Sequence, residues 1–223
     1  MTLESEREQV AAASRRLAAE GLVLGTAGNV SARRGAEIAI TPTGAVLAEL
    51  DPEDVSVVDL DGRQVDGELA PTSELDLHLG VYRRYDAGAV VHTHAPMATA
   101  LSCVLDELPC VHYQMLLLGG TVPVAGYATF GTPDLARSVL EALEGRRAAL
   151  MANHGAIVHG EDLDGALELS LLLEWACTVY WRAAAIGEPK TLDEAQRQAV
   201  VTAAMERGYG STKPAQADSE EGG

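Results

Sequence analysis

Residues 4–20, rich in Ala, Glu and Arg, predict a helix that Gly21 stops. The short apolar runs AEIAI (36–40) and VSVVDL (55–60) predict strands, with Asp61-Gly62 as the turn after the second. A helix is predicted over 73–86 and a strand over 89–94 (AVVHTH). Thr132, Pro133 and Asp134 open a further helix that runs to about Leu143. Residues 148–158 predict a strand broken near Gly155. Asp162 caps a long helix that Gly187 and Pro189 end, and a last helix covers roughly 193–207. The long apolar stretch near 163–187 is interrupted by Asp164, Glu168, Glu174 and Arg182, which marks a core helix and not a membrane span. No repeat of fixed period and no linker divides the chain. The mixture of strands and helices, without strict alternation, implies one layered α/β domain over residues 1–210 with a sheet between helices. The polar segment 211–223 is expected to be a disordered tail.

Composition narrows this picture. With 223 residues, 47% of them hydrophobic, the chain can bury one substantial core. Asp and Glu outnumber Lys and Arg by 33 to 16, a net charge of -17. Such a surface repels nucleic acid and anionic membranes, so neither is an expected partner. An anionic small substrate would need a local pocket of N–H groups, hydroxyls or metal. Cys103, Cys110 and Cys177 form no C-x-x-C pair and are odd in number, which predicts buried reduced thiols in a cytosolic protein. The start, Met1-Thr2-Leu3-Glu4-Ser5-Glu6-Arg7-Glu8, lacks the basic and apolar regions of a secretory signal, consistent with a cytoplasmic location.

Chemistry concentrates in the histidines. His92 and His94 stand two apart at the end of a predicted strand, so their imidazoles share one face. Two imidazoles so placed can meet one ion at about 2.0–2.1 Å each, and His154, between Asn153 and Gly155, is the best candidate for a third. Imidazoles suit zinc and its neighbours, and a three-histidine site with an open position is the catalytic kind. A lone H-x-H is common without any metal. His78 shares a helix face with Leu75 and Tyr82 and is expected to be a hydrogen-bonded packing residue. His159 is expected at a strand end or in a loop, and His112 is ambiguous.

Three polar turns accompany the histidines: Gly25–Ser31 (GTAGNVS), Thr41–Gly44 (TPTG) and Pro71–Glu74 (PTSE), the last opening a helix. Glycines allow close backbone approach, and free N–H groups at turns and helix starts attract anions. Each turn alone has an ordinary explanation, including Thr72 or Ser73 as a plain helix cap. Together they would assemble a phosphate site. Glu74, close to a metal, would be a fourth ligand or an acid/base group.

Taken in order, GTAGNVS (25–31), ITPTG (40–44), PTSE (71–74), VVHTHA (90–95), HY (112–113), YATFGT (127–132) and NHG (153–155) resemble the L-fuculose-1-phosphate aldolase family of the class II aldolase/adducin-head superfamily. The resemblance spans about residues 15–209. It implies a single layered α/β domain with a largely antiparallel central sheet, and a cyclic homotetramer with active sites between subunits. It implies zinc, or another divalent metal such as manganese or cobalt, on His92, His94 and His154, with Glu74 as the metal-proximal acid/base. It puts the substrate's phosphate on Gly28, Asn29, Thr43, Gly44, Thr72 and Ser73. Tyr113 would reach a neighbouring subunit's site as a proton donor or acceptor, and Tyr209 would close over it. Two departures are Thr72, where the family commonly has serine, and Asn153, where relatives often have histidine.

The expected reaction is reversible cleavage of a small ketose 1-phosphate, such as L-fuculose 1-phosphate, to dihydroxyacetone phosphate and a short aldehyde such as lactaldehyde. A Schiff-base mechanism finds no suitable amine, since the lysines are Lys190 and Lys213. A ribulose-phosphate 4-epimerase would share the metal site, but such relatives carry Asp at the Glu74 position and a further Asp after the histidine pair. Residues 111–126 hold neither Asp nor Glu. A metal-free binding module like the adducin head would not need the histidine set with Glu74.

Overall fold

The computed structural model describes residues 2–207. The described residues form two compact units that divide after Thr191. In the second, the described element is a helix, α6 (Glu194–Arg207). The first unit carries five helices and nine strands: α1 (Glu4–Ala19), β1 (Asn29–Arg34), β2 (Glu37–Ile40), β3 (Ser56–Asp59), β4 (Gln64–Asp66), α2 (Leu75–Arg84), β5 (Ala89–Thr93), α3 (Pro96–Ser102), β6 (Glu107–Leu108), β7 (Val122–Ala125), α4 (Pro133–Ala142), β8 (Ala148–Met151), β9 (Gly155–Gly160) and α5 (Leu163–Ile186). The strands form one sheet in the order β4-β3-β2-β1-β5-β9-β8-β7-β6. Every pairing is antiparallel except that of β7 with β8. The expected layered α/β architecture, with a largely antiparallel sheet between helices, is the one observed.

Strand pairing fixes which side chains face which layer. Opposed residues in an antiparallel pair project to the same face. Ser31, Val90 and Ile40 share a rung, and His92 pairs with Asn29 on one side and Ile157 on the other. This face is covered by α2 and α4, whose Leu77, Val81, Leu135 and Val139 are buried with Val90, Ile157 and Met151 in one apolar cluster. The opposite face is covered by α1, α3 and α5. Each fully buried aliphatic side chain in the cluster is worth about 1.5–3 kcal/mol. That anchorage holds the start of α2, with Glu74 in its cap position, in a fixed place against β1 and β5.

Several elements differ from the expected ones. Gly25–Ser31 is not one turn: the turn ends at Gly28, and Asn29 to Ser31 already belong to β1. The helix expected from residue 73 starts at Leu75, with Glu74 in the cap position and neither Thr72 nor Ser73 there. The break near Gly155 is a full turn between β8 and β9. The Asp162 cap is present, its carboxylate accepting the Gly165 N–H at 2.7 Å, and Gly187 follows the last residue of α5. No helix among the described residues is long and apolar enough to cross a membrane. No disulfide links the three cysteines, but Cys103 is exposed at the end of α3, so only Cys110 and Cys177 are the buried thiols expected.

Candidate active site

The three histidines meet at one end of the sheet. His92 is buried near the end of β5, and its Nδ1 lies 2.9 Å from the carbonyl oxygen of Ala156 on β9. Only an N–H can bridge that distance, so Nδ1 donates and Nε2 presents a lone pair. Nε2 of His94 lies 3.0 Å away. His154 enters from the β8–β9 turn, where its N–H bonds to the Met151 carbonyl at 3.0 Å. The preceding residue, Asn153, takes a left-handed φ of 57°, a conformation asparagine tolerates better than most residues. Gly155 follows because a Cβ there would stand 2.2 Å from the Thr93 carbonyl oxygen. The ring centroids of the three imidazoles form a nearly equilateral triangle with sides of 4.8, 4.9 and 4.9 Å. Their ligand nitrogens all lie within 4.8 Å of one another, on the scale of the roughly 3.3 Å that neighbouring ligands of a tetrahedral zinc require. The donor set therefore fits a divalent ion.

Glu74 faces this triangle. Its Oε2 accepts the Asn29 Nδ2–H at 2.9 Å and stands 3.2 Å from His92 Nε2. Its Oε1 is buried without a hydrogen-bond partner and lies 3.6 Å from His154 Nε2. Burial alone would raise the carboxyl pKa. With a proton on His92 Nε2 in the place an ion would take, its hydrogen bond and charge, with the Asn29 amide and the charge of His154, outweigh burial and hold the carboxyl below its ordinary range. The imidazoles shift the other way. Burial, then the neighbouring His92 and His154, lowers His94 to about 4, and burial followed by His92 lowers His154. The result is an ionised carboxylate beside two imidazoles, His94 and His154, that resist protonation, as metal binding needs.

A cavity of about 310 Å³ opens over this cluster, with Glu74, His94 and His154 in its lining. The three polar turns converge on it. Gly28, Asn29, Thr43, Gly44, Thr72 and Ser73 all line the same space. The second and third turns are pinned together by backbone bonds, Thr43 N–H to the Ala70 carbonyl and Thr72 N–H to the Thr41 carbonyl, each 3.0 Å. Gly28 is required because a Cβ would meet the His92 carbonyl at 2.8 Å, so this turn lies directly on the strand that carries the first histidine.

Residues 8–181 match the family model described as the class II aldolase and adducin N-terminal domain. The chain belongs to the class II aldolase family. Its relatives include a 5-deoxy-D-ribulose 1-phosphate aldolase from Bacillus thuringiensis serovar kurstaki, 41% identical over 197 residues, covering 87% of this chain and 92% of that one. A 5-methylthioribulose-1-phosphate/5-deoxyribulose-1-phosphate aldolase from Rhodospirillum rubrum is 42% identical over 189 residues, 83% of this chain and 85% of that one. Among solved structures, an L-fuculose 1-phosphate aldolase superposes with a TM-score of 0.87 at 34% identity, covering 91% of this chain and 97% of that one. The chain is thus an enzyme of the class II, metal-dependent aldolase type, acting in a family whose substrates are phosphorylated sugars.

Tyr113 begins a short 3-10 helix, Tyr113–Leu118, is 39% exposed, and is not among the residues lining the cavity of its own chain. Its ring packs on His112, which in turn meets Trp175 edge-on. Tyr209 lies outside the described residues. His159 sits near the end of β9, stacked on Tyr85. Residue-by-residue reasoning missed Tyr127, Ala128, Phe130 and Asn153 in the cavity lining. The first three lie in the YATFGT segment, whose signal in the sequence is two aromatics close to a glycine. His78 is fully buried and hydrogen-bonded, as expected. That it stands behind Asn29 and Glu74 was missed.

Proposed function

We propose that this aldolase reversibly cleaves a short deoxyketose 1-phosphate to dihydroxyacetone phosphate and an aldehyde, with a 5-deoxypentulose 1-phosphate as the preferred class. The observation that carries the reading is Glu74, an ionised carboxylate with one oxygen anchored and the other unpartnered beside three converging imidazoles. His92, His94 and His154 would hold the metal, zinc being among the ions that suit a three-imidazole set. A divalent ion there supplies Lewis acidity to the negative charge that develops on the substrate's carbonyl and neighbouring hydroxyl oxygens. Glu74 moves the proton at the carbon that becomes C3 of dihydroxyacetone phosphate. Gly28, Asn29, Thr43, Gly44, Thr72 and Ser73 hold the phosphate through hydroxyls and turn N–H groups. Tyr113 of a neighbouring subunit in a homotetramer, with Tyr209, serves the aldehyde oxygen.

The cavity mouth and the relatives support this substrate class. Tyr127, Ala128 and Phe130 give the lining an apolar side, with the two aromatic rings 69% and 67% exposed. An aldehyde whose carbonyl carries only a methyl or methylthiomethyl group, without the hydroxyl of lactaldehyde, suits such a wall, and relatives at 41% and 42% identity carry names of that substrate class. L-Fuculose 1-phosphate, which would release lactaldehyde, is the second reading, favoured by the structural neighbour of that name. The test is condensation of dihydroxyacetone phosphate with acetaldehyde, methylthioacetaldehyde and lactaldehyde by the zinc-loaded protein. The expected order of kcat/KM places the first two above lactaldehyde, and the reverse order replaces the first reading with the second. No condensation with any of them would remove the aldolase assignment of substrate altogether.

A further inference from the structure

Glu74, His78 and Tyr82 stand four residues apart at the start of and along α2, so they share one helix face. Asn29 and Ser31 stand two apart on β1 and face them. The five interlock. Asn29 Nδ2 reaches Glu74 Oε2 at 2.9 Å, His78 Nε2 reaches Asn29 Oδ1 at 2.5 Å, and Ser31 Oγ lies 2.7 Å from both His78 Nδ1 and Tyr82 Oη. None of the five is more than 7% exposed.

The chemistry of the carboxylate sets the direction of every proton in this chain. An ionised carboxylate only accepts, so Asn29 must turn its Nδ2 towards Glu74. That leaves Asn29 Oδ1 facing His78, which must then donate from Nε2. In the neutral ring Nδ1 accepts, and its donor is the Ser31 hydroxyl. Ser31 Oγ in turn accepts the Tyr82 hydroxyl. One proton assignment satisfies all four contacts. With the proton on Nδ1 instead, His78 Nε2 would draw the Asn29 amide the other way round and set Oδ1 against the carboxylate.

We propose that His78 is a positioning residue for the aldolase reaction: its Nε2–H locks the Asn29 amide, which holds Glu74 Oε2 and leaves Oε1 as the oxygen that handles the proton. The inference rests on the reading of Glu74 as the acid/base group. Oε1 is the carboxylate atom without a hydrogen-bond partner, which fits the division of labour between the two oxygens. The network does not conduct protons to solvent, because its far end, Tyr82, is 3% exposed and packed in the apolar cluster between α2 and the sheet. The second hydrogen of Asn29 Nδ2 stays available to a ligand in the cavity that Asn29 lines.

Two measurements test this. In zinc-loaded protein labelled with ¹⁵N-histidine, the signal that disappears in His78→Gln should report a proton on Nε2 and none on Nδ1 between pH 6 and 8. A proton on Nδ1 overturns the proposal, whatever the activity of the enzyme. The second measurement is exchange of the C3 proton of dihydroxyacetone phosphate in deuterated water. Gln carries an amide where Nε2 was, whereas Asn reaches only as far as Nδ1. At saturating dihydroxyacetone phosphate, His78→Gln should exchange within a few-fold of the native rate, and His78→Asn about 10–100-fold more slowly, the usual cost of losing a group that orients a functional one, with zinc content unchanged. Native-rate exchange by His78→Asn, or equal losses in both variants that follow lost thermal stability, would overturn it. A Glu74→Gln enzyme exchanging at the native rate would sink the reading of Glu74 instead, and the ¹⁵N result would still decide whether the lock exists.

Discussion

Asn29 and His92 are partners on one rung of the β1–β5 pairing, and both contact the same oxygen of Glu74, at 2.9 and 3.2 Å. The carboxylate is therefore aimed by the sheet itself. If Glu74 were only a cap for the dipole of α2, Glu74→Gln would cost a few tenths to about 1 kcal/mol of stability and little rate. As the proton-transfer group, the same change should lower turnover by roughly 10²–10⁴-fold while fold and metal content stay near native. The check is kcat for cleavage together with metal analysis and a urea unfolding curve on the same preparation.

The imidazole triangle makes a second expectation quantitative. Native protein should bind about one divalent ion per chain, because the three ligand nitrogens lie within 4.8 Å of each other and form a single three-imidazole site with an open position. His94→Ala leaves two imidazoles, which hold a labile ion poorly, and should lose the metal on dialysis. Chelation of the native enzyme should abolish turnover, and added zinc should restore it. Full metal content in His94→Ala would take His94 off the ligand set.

How far the chain could be read from its residues differs between the fold and the site. Long helices with clear stops, such as α5 between Asp162 and Gly187, were legible because local capping chemistry determines their ends. The strands β1, β4, β6 and β7 were not: β1 reads NVSARR, with small and charged residues whose burial comes from neighbours far along the chain. The short α3 carries seven residues, too few for a periodic pattern. Motif order brought the histidines, the polar turns and Glu74 to one cavity. It did not disclose the chain of bonds behind Asn29, since the spacing of Glu74, His78 and Tyr82 signifies only a shared helix face until β1 supplies Asn29 and Ser31 opposite them.

Acid should destabilise the enzyme earlier than carboxylate titration alone allows. Burial, and then the charge of His92, lowers His78 from its ordinary 6.5 to about 3, with Glu74 opposing. Between those values the unfolded chain binds a proton that the native state refuses, so stability falls as pH falls below about 6.5, by up to roughly 1.4 kcal/mol per pH unit for each such group. His94, lowered to about 4, adds to this in metal-free protein. The depressed carboxyl of Glu74 acts in the same direction, but only below its ordinary 4.5. The window from pH 6.5 to 4.5 thus isolates the histidines. Urea unfolding across it should show a steep loss of stability that is shallower in His78→Gln. An unchanged slope in that variant would assign the acid sensitivity elsewhere.

Asn153 offers a backbone test. Its φ of 57° costs most side chains about 1–2 kcal/mol. Asn153→Ala should lose about that much stability, whereas Asn153→Gly should stay within about 1 kcal/mol of native because glycine adopts this conformation freely. Urea midpoints of the two variants decide it. Metal affinity should follow the same order, since this turn carries His154.

Tyr113 bears on assembly. It is partly exposed and is not among the residues lining its own chain's cavity, so a role at the aldehyde oxygen requires a site shared between subunits. Glu74→Gln chains keep Tyr113, and Tyr113→Phe chains keep Glu74. When the two are unfolded together and reassembled in equal amounts, each site takes its Glu74 from one chain and its Tyr113 from the neighbour. Random mixing in a symmetric ring then gives roughly a quarter of the sites both native residues, and activity should recover to about that fraction of native. If both residues served the site of one chain, mixing would restore none, because every chain lacks one of them. The ring is assayed by light scattering and the mixing by a mass tag on one variant. Mixed oligomers that gain no activity over their parents would place Tyr113 and Glu74 in the same chain's site or remove Tyr113 from the chemistry.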